Sequence, residues 1–187
     1  MKDIQECAKF YKTLMRKDYI FTLENGIVFK LFFKASNFYH LIGLHKLKDI
    51  RQLSGDSVAP DRIYKDILSG SISVKTIENS SYYTKIADRV EHFEKIADML
   101  DKDKCKIIID FDASVVQGGT DLLKTKYILY RLVNLSYANL TIGEDEKGPY
   151  PETFFFEVSK KYISEQNLLD VENIEVIEKG KKRAHPQ

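Results

Sequence analysis

The spacing of apolar residues predicts a helix at the start of the chain, followed by a β-hairpin. Apolar residues recur at intervals of three and four, as on one face of a helix: Ile4, Cys7, Ala8, Tyr11, Leu14 and Met15. Two strand-like segments follow, at 19–24 and 27–33. They flank Asn25-Gly26, a dipeptide typical of two-residue type I′ turns.

The middle of the chain is helical in pattern. Residues 37–52 predict an irregular turn that leads into a short helix, and 60–68 and 71–79 predict two more short helices. The strongest helical pattern covers residues 81–101, where one face is apolar and the opposite face is charged. We expect a single long helix there, packed across a sheet.

The last part of the chain is rich in strand-forming residues. Four β-rich segments, separated by Gly, Asp, Asn or Pro clusters, lie at 105–111, 127–133, 137–142 and 153–158. A short final strand at 174–177 is expected at a sheet edge. Helices before strands predict an α+β fold in which amino-terminal helices pack on one face of a small, mainly antiparallel β-sheet.

Two of these strands alternate between an apolar face and a polar-aromatic face. In the segment 153–158, Phe154 and Phe156 lie on the apolar side, while Thr153 and Phe155 lie on the other. In the neighbouring segment the polar-aromatic side consists of Tyr137, Asn139 and Thr141. Aromatic rings, hydroxyls and an amide on a sheet surface are typical of single-stranded RNA recognition. An ordinary solvated sheet face is the alternative.

Composition limits the classes of protein that fit. The chain has 187 residues, 43% of them hydrophobic, and a net charge of +1, so no strong overall field attracts nucleic acid. We expect one domain over residues 1–178 and a basic flexible tail at 179–187. No apolar run approaches the length of a membrane span, and the charged amino-terminal residues favour a cytoplasmic protein without membrane contact. Lys and Arg exceed Asp and Glu only in the amino-terminal third.

Common catalytic and cofactor motifs are missing. The sequence has no Walker loop, dinucleotide-binding glycine pattern, nucleophile elbow or His-Glu-x-x-His motif. The distant Cys7 and Cys105 suggest buried thiols rather than a disulfide or zinc site. Asp110 and Asp112 could share a metal ion, but no third acidic residue lies at an obvious spacing. We therefore predict neither a metal nor a cofactor.

The segment 37–47 holds the most informative polar residues, because His40 and His45 lie beside Lys46. Histidine transfers protons near neutral pH and lysine neutralises phosphate charge, which suits metal-free phosphodiester chemistry. On a regular helix five residues turn about 500°, so the two rings would point some 140° apart. One of these histidines is then structural, unless the segment is irregular.

Three segments together resemble a known family. They are Phe38-Tyr-His-Leu-Ile-Gly-Leu-His-Lys-Leu47 after the hairpin, the helical segment with Asp88-Arg89 and Phe93, and Tyr150-Pro-Glu-Thr-Phe-Phe-Phe-Glu157. They resemble the fourth class of phage-associated nuclease-like domains named after barnase, EndoU, colicin and RelE. The resemblance covers roughly residues 10–165.

The resemblance implies a ribonuclease-toxin-like α+β fold encoded by phages or mobile elements, and RNA cleavage without a metal. In that reaction a ribose 2′-hydroxyl attacks the adjacent phosphate with help from an acid, a base and nearby cations. On this basis His45 is the preferred acid or base and His40 the second candidate. Lys46 and Arg89 are expected to stabilise the phosphate charge. Hydrogen bonds to the substrate are expected from Tyr150 and Thr153.

Three functional hypotheses stay open at this stage. The first is a toxin-like or processing ribonuclease, which predicts that the two histidines converge with Tyr150 and Thr153 in one cleft. The second is an inactive binding or inhibitor module that acts on a host protein or nucleic-acid complex, and it predicts these side chains to be scattered or buried. The third is a subunit that assembles through its aromatic sheet face or its edge strand. A lethal ribonuclease would also need an antidote protein or a delivery system.

Overall fold

The amino-terminal half of the chain is mostly helical and the carboxy-terminal half mostly strand in the computed structural model, which describes residues 2–55 and 58–180. The helices are α1 (Ile4–Met15), α2 (Ala35–Leu41), α3 (Pro60–Ser69), α4 (Val74–Glu78), α5 (Ala87–Glu91) and α6 (Lys95–Met99). The strands are β1 (Lys17–Leu23), β2 (Val28–Phe32), β3 (Ile107–Asp110), β4 (Thr125–Val133), β5 (Ser136–Asp145), β6 (Gly148–Glu157) and β7 (Asn167–Glu178). Among the described residues no helix is long and apolar enough to cross a membrane.

All seven strands belong to one antiparallel sheet in the order β2-β1-β7-β3-β4-β5-β6. The sheet curls, so that its two outermost strands, β2 and β6, approach each other. Phe29 of β2 stacks on Tyr127 of β4, with ring centres 4.9 Å apart. The helices and one face of the sheet share the main hydrophobic core. The predicted α+β class with amino-terminal helices on an antiparallel sheet is confirmed.

The first hairpin forms where it was predicted, but the predicted type I′ turn is wrong. That turn needs a positive φ at both central residues. Here only Gly26 has one, at +79°, and its N–H donates to the Leu23 carbonyl. The Leu23 N–H donates to the Ile27 carbonyl, and the Asn25 side chain accepts from the Ile27 N–H. The loop therefore has three residues, with glycine in the left-handed position after an ordinary turn.

The single long helix expected at 81–101 is also wrong. The segment consists of a 3₁₀ turn at Tyr83–Lys85 followed by α5 and α6, with non-helical backbone at Ile86 and at His92. A straight helix buries only one stripe of side chains. The bent path buries the apolar residues and also turns Arg89 inward, so that only 6% of Arg89 is exposed.

The final strand is longer and more central than the short edge strand that the sequence predicted. β7 has 12 residues and pairs with β1 on one side and β3 on the other. Its register shifts where Val171 pairs with Leu23 and Asn173 with Thr22, so the buried positions are Leu169, Val171 and Ile174. This shift interrupts the alternation that would reveal a strand in the sequence. The predicted basic tail lies outside the described residues from position 181 onward.

Two loops cover part of the sheet face that lies opposite the helices. The loop 111–124 and the loop 158–166 pack their apolar residues onto β3 and β4, where Ile109, Phe111 and Ile128 form a second, smaller core. The Gln166 side chain joins the loops, because its oxygen accepts from the Asp112 N–H at 2.8 Å and its amide donates to the Asp112 carbonyl at 3.0 Å. The expectation of one open sheet face is therefore met only in part.

Candidate active-site cleft

An open cleft of about 470 Å³ lies where the helical part of the chain meets β6 and the loops 111–124 and 158–166. Its polar lining combines two histidines, three cations and three carboxylates: His40, His45, Lys46, Lys85, Arg89, Asp88, Asp121 and Glu152. The remaining lining residues are Thr120, Leu122, Thr153, Phe155, Phe156 and Tyr162. Five of the six residues predicted to be catalytic are in this one cleft.

A break in the helix brings the two histidines together. Helix α2 ends at Leu41, Gly43 has a φ of +85°, and a 3₁₀ turn follows at Leu44–Lys46. The rings of His40 and His45 are consequently only 5.5 Å apart, centre to centre, rather than on different sides of a helix. Gly43 is confined as well, because a Cβ atom there would lie 2.9 Å from Ile86 Cγ2 and 3.3 Å from the Arg89 side chain.

Arg89 connects this turn to the sheet. Its Nη1 donates to the Thr153 hydroxyl at 3.1 Å and to the backbone carbonyls of Leu41 at 3.3 Å and His40 at 3.4 Å. No carboxylate of the described residues lies within ion-pairing distance of the guanidinium. Burial lowers the pKa of Arg89 to about 10, so the side chain stays protonated at neutral pH. The cleft therefore contains a buried positive charge without a counter-ion among the described residues.

A β-bulge turns two successive residues of β6 toward the cleft. Thr141 of β5 pairs with Thr153, but the next residue, Ile142, pairs with Pro151, so Glu152 is the extra residue. In a regular strand Glu152 and Thr153 would point to opposite faces. Glu152 Oε2 accepts from the Thr125 hydroxyl at 2.5 Å and from the Thr141 hydroxyl at 3.3 Å. These bonds fix the carboxylate at the edge of the cleft.

The two histidines differ in their surroundings. Burial lowers the pKa of His45 to about 4, and the positive charges of His40, Arg89, Lys46 and Lys48 add to the effect. The Nδ1 atom of His45 is buried without a hydrogen-bond partner in the described structure, so an added proton there would lack an acceptor. His40 is more exposed. Partial burial of its ring lowers its pKa below 6.5, but the negative charge of Glu152 opposes that change.

Lys46 is a second cation in the cleft with a shifted pKa. Burial lowers the pKa of Lys46, and the charges of Arg89 and Lys85 act in the same direction. Lys46, Arg89 and Lys85 therefore repel one another. An anion placed among them would relieve this repulsion and pair with Arg89.

The fold brings only one of the residues predicted to bind RNA into the cleft. Phe155 is half-buried and lines the cleft beside Tyr162. Asn139 and Thr141 are only 1% and 0% exposed, so they do not contribute to an open RNA-binding surface. Their polar groups serve the sheet, since the Asn139 amide donates to the Tyr137 carbonyl and the Thr141 hydroxyl contacts Glu152. Tyr137 is half-buried but does not line the cleft.

Tyr150 is the one predicted catalytic residue that the cleft lining does not include. It packs over Gly143 of β5, where a Cβ atom would lie 2.7 Å from its ring. Burial raises the pKa of Tyr150, and the charges of Glu152 and Asp145 raise it further. The contact with Gly143 gives Tyr150 a packing role at the β5–β6 pair.

The two aspartates that could have shared a metal ion form structural contacts instead. Asp110 forms an ion pair with Lys126 at 3.6 Å, and Asp112 accepts from the Ser114 N–H at 2.8 Å, which caps a short 3₁₀ turn. Among the described residues no three His, Cys, Asp or Glu side chains form a group that could hold a metal ion.

Sequence reasoning missed Glu152 and Tyr162. Strand alternation alone would place Glu152 beside core residues, and only the bulge turns it to the cleft. Tyr162 comes from the loop 158–166, whose path over the sheet has no periodic signal. The one available signal was compositional, since both residues lie within or just after the aromatic segment 150–157.

The cleft brings together the groups that phosphodiester chemistry needs. Carboxylate and imidazole can transfer protons, buried and half-buried cations can bind a phosphate, and aromatic rings can stack on a base. A family model described as phage-Barnase-EndoU-ColicinE5/D-RelE like nuclease4 matches residues 3–183. No curated protein and no solved structure shows a significant match to the chain.

Proposed function

Since this chain belongs to the phage-Barnase-EndoU-ColicinE5/D-RelE like nuclease 4 family, a nuclease-like family, we propose that it cleaves RNA without a metal ion. The attacking group is a ribose 2′-hydroxyl, and the products are a 2′,3′-cyclic phosphate and a free 5′-hydroxyl. RNA rather than DNA is the substrate, because DNA lacks the attacking hydroxyl.

One observation carries the proposal, namely that His40, Glu152 and the cations Lys46 and Arg89 line the same cleft. Cleavage by 2′-hydroxyl attack needs a proton acceptor, a proton donor and positive charge at the phosphate. The convergence supports a ribonuclease over a binding module, for which these side chains would be scattered. Thr153 belongs to the same group through its hydrogen bond to Arg89.

Glu152 is suited to act as the proton acceptor, and His40 is suited to act as the proton donor. Oxygen Oε2 of Glu152 is held by two threonine hydroxyls, and no described residue donates to Oε1, which can accept the 2′-hydroxyl proton. The nearby Glu152 charge favours the protonated form of His40, and a bound phosphate would favour it further. His40 then protonates the departing 5′-oxygen. His45, with its low pKa and unpartnered Nδ1, stays neutral and supports the ring of His40.

Arg89 and Lys46 stabilise the negative charge that develops on the phosphate. Only Nη1 of Arg89 is engaged in hydrogen bonds with described residues, so the rest of the guanidinium is available to phosphate oxygens. Arginine presents several N–H groups in a fixed plane, which lysine cannot reproduce.

The test is incubation of the purified protein with labelled single-stranded RNA in excess chelator. Wild type is expected to cleave and to leave 2′,3′-cyclic phosphate ends. His40→Ala and Glu152→Gln should each lower the cleavage rate at least about 10²-fold, the usual effect of losing a positioned acid or base. His92→Ala is the matched control, because His92 does not line the cleft, and its rate should equal that of wild type.

Three results would contradict the proposal. Loss of cleavage on chelation would mean that a metal ion takes part. A folded His40→Ala variant that cleaves at the wild-type rate would remove His40 from the reaction. Intact RNA with folded wild-type protein would instead favour a module that binds a host protein or nucleic-acid complex.

A further inference from the structure

We propose that Phe155 and Tyr162 form a subsite for an unpaired RNA base beside the phosphate-binding cations. The inference deepens the proposed function and rests on it for the identity of the ligand. It adds Tyr162 as a binding residue and restricts the substrate to single-stranded RNA or unpaired loops.

The loop 158–166 places a second aromatic ring next to Phe155. The ring centres of Phe155 and Tyr162 are 5.2 Å apart and the ring planes meet at 76°, an edge-to-face arrangement. Tyr162 also contacts Phe111 of the opposite loop, with ring centres 6.4 Å apart. Two rings from separate elements therefore share one wall of the cleft.

The position of Tyr162 is fixed before any ligand binds. The Gln166 side chain holds its loop to Asp112 through the two hydrogen bonds described above, at 2.8 and 3.0 Å. The N–H groups of Ile163 and Ser164 both donate to the Lys160 carbonyl, which closes a turn around Tyr162. A preordered ring loses little entropy when a base stacks on it.

The rings keep apolar surface open beside the charged groups of the cleft. Phe154, the neighbour of Phe155 in the strand, is fully buried, whereas Phe155 and Tyr162 are only half-buried. Apolar surface of this kind is typical of a binding site rather than of a core. The ammonium group of Lys161 lies over the Tyr162 ring, 5.4 Å from its centre, although Lys161 does not line the cleft.

A nucleotide is the ligand that matches both parts of the cleft. One part offers Arg89 and Lys46 for an anion, and the other offers aromatic faces, as a nucleotide requires. In a duplex each base face is covered by its neighbours, so only an unpaired base can stack on a side chain. Duplex RNA should consequently bind weakly here.

The test measures binding of a fluorescent, fully 2′-O-methylated RNA oligonucleotide by anisotropy. This probe lacks the attacking hydroxyl and cannot be cleaved, so binding is measured independently of catalysis. Wild type should bind the single-stranded probe at least about 5-fold more tightly than the same probe in a duplex. Tyr162→Ala should weaken single-strand binding at least about 5-fold, the scale of one lost base–aromatic stack, whereas Tyr162→Phe should stay within about 2-fold of wild type.

Tyr83→Ala is the matched control, since this half-buried tyrosine does not line the cleft, and it should bind like wild type. Tyr162→Leu replaces the ring by an apolar side chain and gives the same test if the alanine variant does not fold. The inference is overturned if wild type binds neither probe, if it does not prefer the single strand, or if folded Tyr162→Ala and Tyr162→Leu bind like wild type. Tyr162-dependent binding without RNA cleavage would support the subsite and contradict the proposed reaction.

Discussion

At the scale of single residues, the same side chain has different properties at two positions 5.5 Å apart. His45 lies deeper, among cations, and its Nδ1 lacks a partner in the described structure, while His40 is more open and lies under the influence of Glu152. Residue identity and spacing predicted both histidines as candidates, and the family resemblance favoured His45. Burial and neighbouring charge favour His40 as the proton donor of the proposed reaction, and neither is visible before the chain folds.

The low pKa of His45 predicts a loss of stability in acid. In the unfolded chain this histidine binds a proton near pH 6.5, whereas in the folded protein it does so only near pH 4. Between these values the unfolded state binds more protons, so the free energy of unfolding rises with pH in this window and falls as pH drops from 6.5 to 4. Urea unfolding at a series of pH values measures that slope.

A His45→Gln variant tests the assignment, because glutamine does not titrate. Its free energy of unfolding should fall less steeply than that of wild type between pH 6.5 and 4. Equal slopes for wild type and His45→Gln would show that His45 is protonated alike in the folded and unfolded states.

At the scale of elements, periodicity predicted the features that repeat and missed the ones that interrupt a repeat. Helix α1 and helix α3 follow regular apolar spacings and form as expected. The site, by contrast, depends on interruptions: the turn at Gly43 that follows α2, the bends between 81 and 101, and the bulge at Glu152. Such breaks are set by tertiary packing, so a pattern read from the chain alone extends across them.

Among these interruptions, the turn at Gly43 is the one where a substitution has the clearest predicted effect on stability. Gly43→Ala adds a Cβ atom 2.9 Å from Ile86 Cγ2 and also requires alanine at a φ of +85°. Strained backbone and overpacking each cost roughly 1 to 3 kcal/mol, so the free energy of unfolding should drop by at least about 2 kcal/mol. RNA cleavage should decline as well, because the turn that brings His40 to His45 is distorted.

The Gly26→Ala variant separates backbone strain from overpacking as causes of the lost stability. Gly26 has nearly the same φ, +79°, but a Cβ atom there meets nothing within 4 Å. Its stability loss should reflect backbone strain alone, roughly 1 to 2 kcal/mol, and cleavage should be unaffected. If both variants lose the same stability in chemical denaturation, contact with Ile86 contributes nothing at Gly43.

At the scale of the whole molecule, β7 connects parts of the fold that are distant in sequence. The hairpin β1–β2 comes from the amino-terminal residues and β3–β6 from the second half of the chain, and β7 pairs with both β1 and β3. Lys179 extends this link, since its ammonium group lies 3.2 Å from Asp18 of β1. The cleft cations Lys46, Lys85 and Arg89 of this nearly neutral chain come from the turns and the helix between β2 and β3.

This topology predicts that the sheet unfolds as one unit. Ile174 of β7 is 3% exposed and pairs with Phe21 of β1, so Ile174→Ala should lower the free energy of unfolding by about 2 to 5 kcal/mol. Because β7 joins both parts of the sheet, amide hydrogen exchange should accelerate in β1 and in β4 alike. Val176→Ala, at a position of the same strand that is 45% exposed, should change stability by no more than about 0.5 kcal/mol. Faster exchange confined to β1 and β2 would show instead that the hairpin opens separately from the strands that form the cleft.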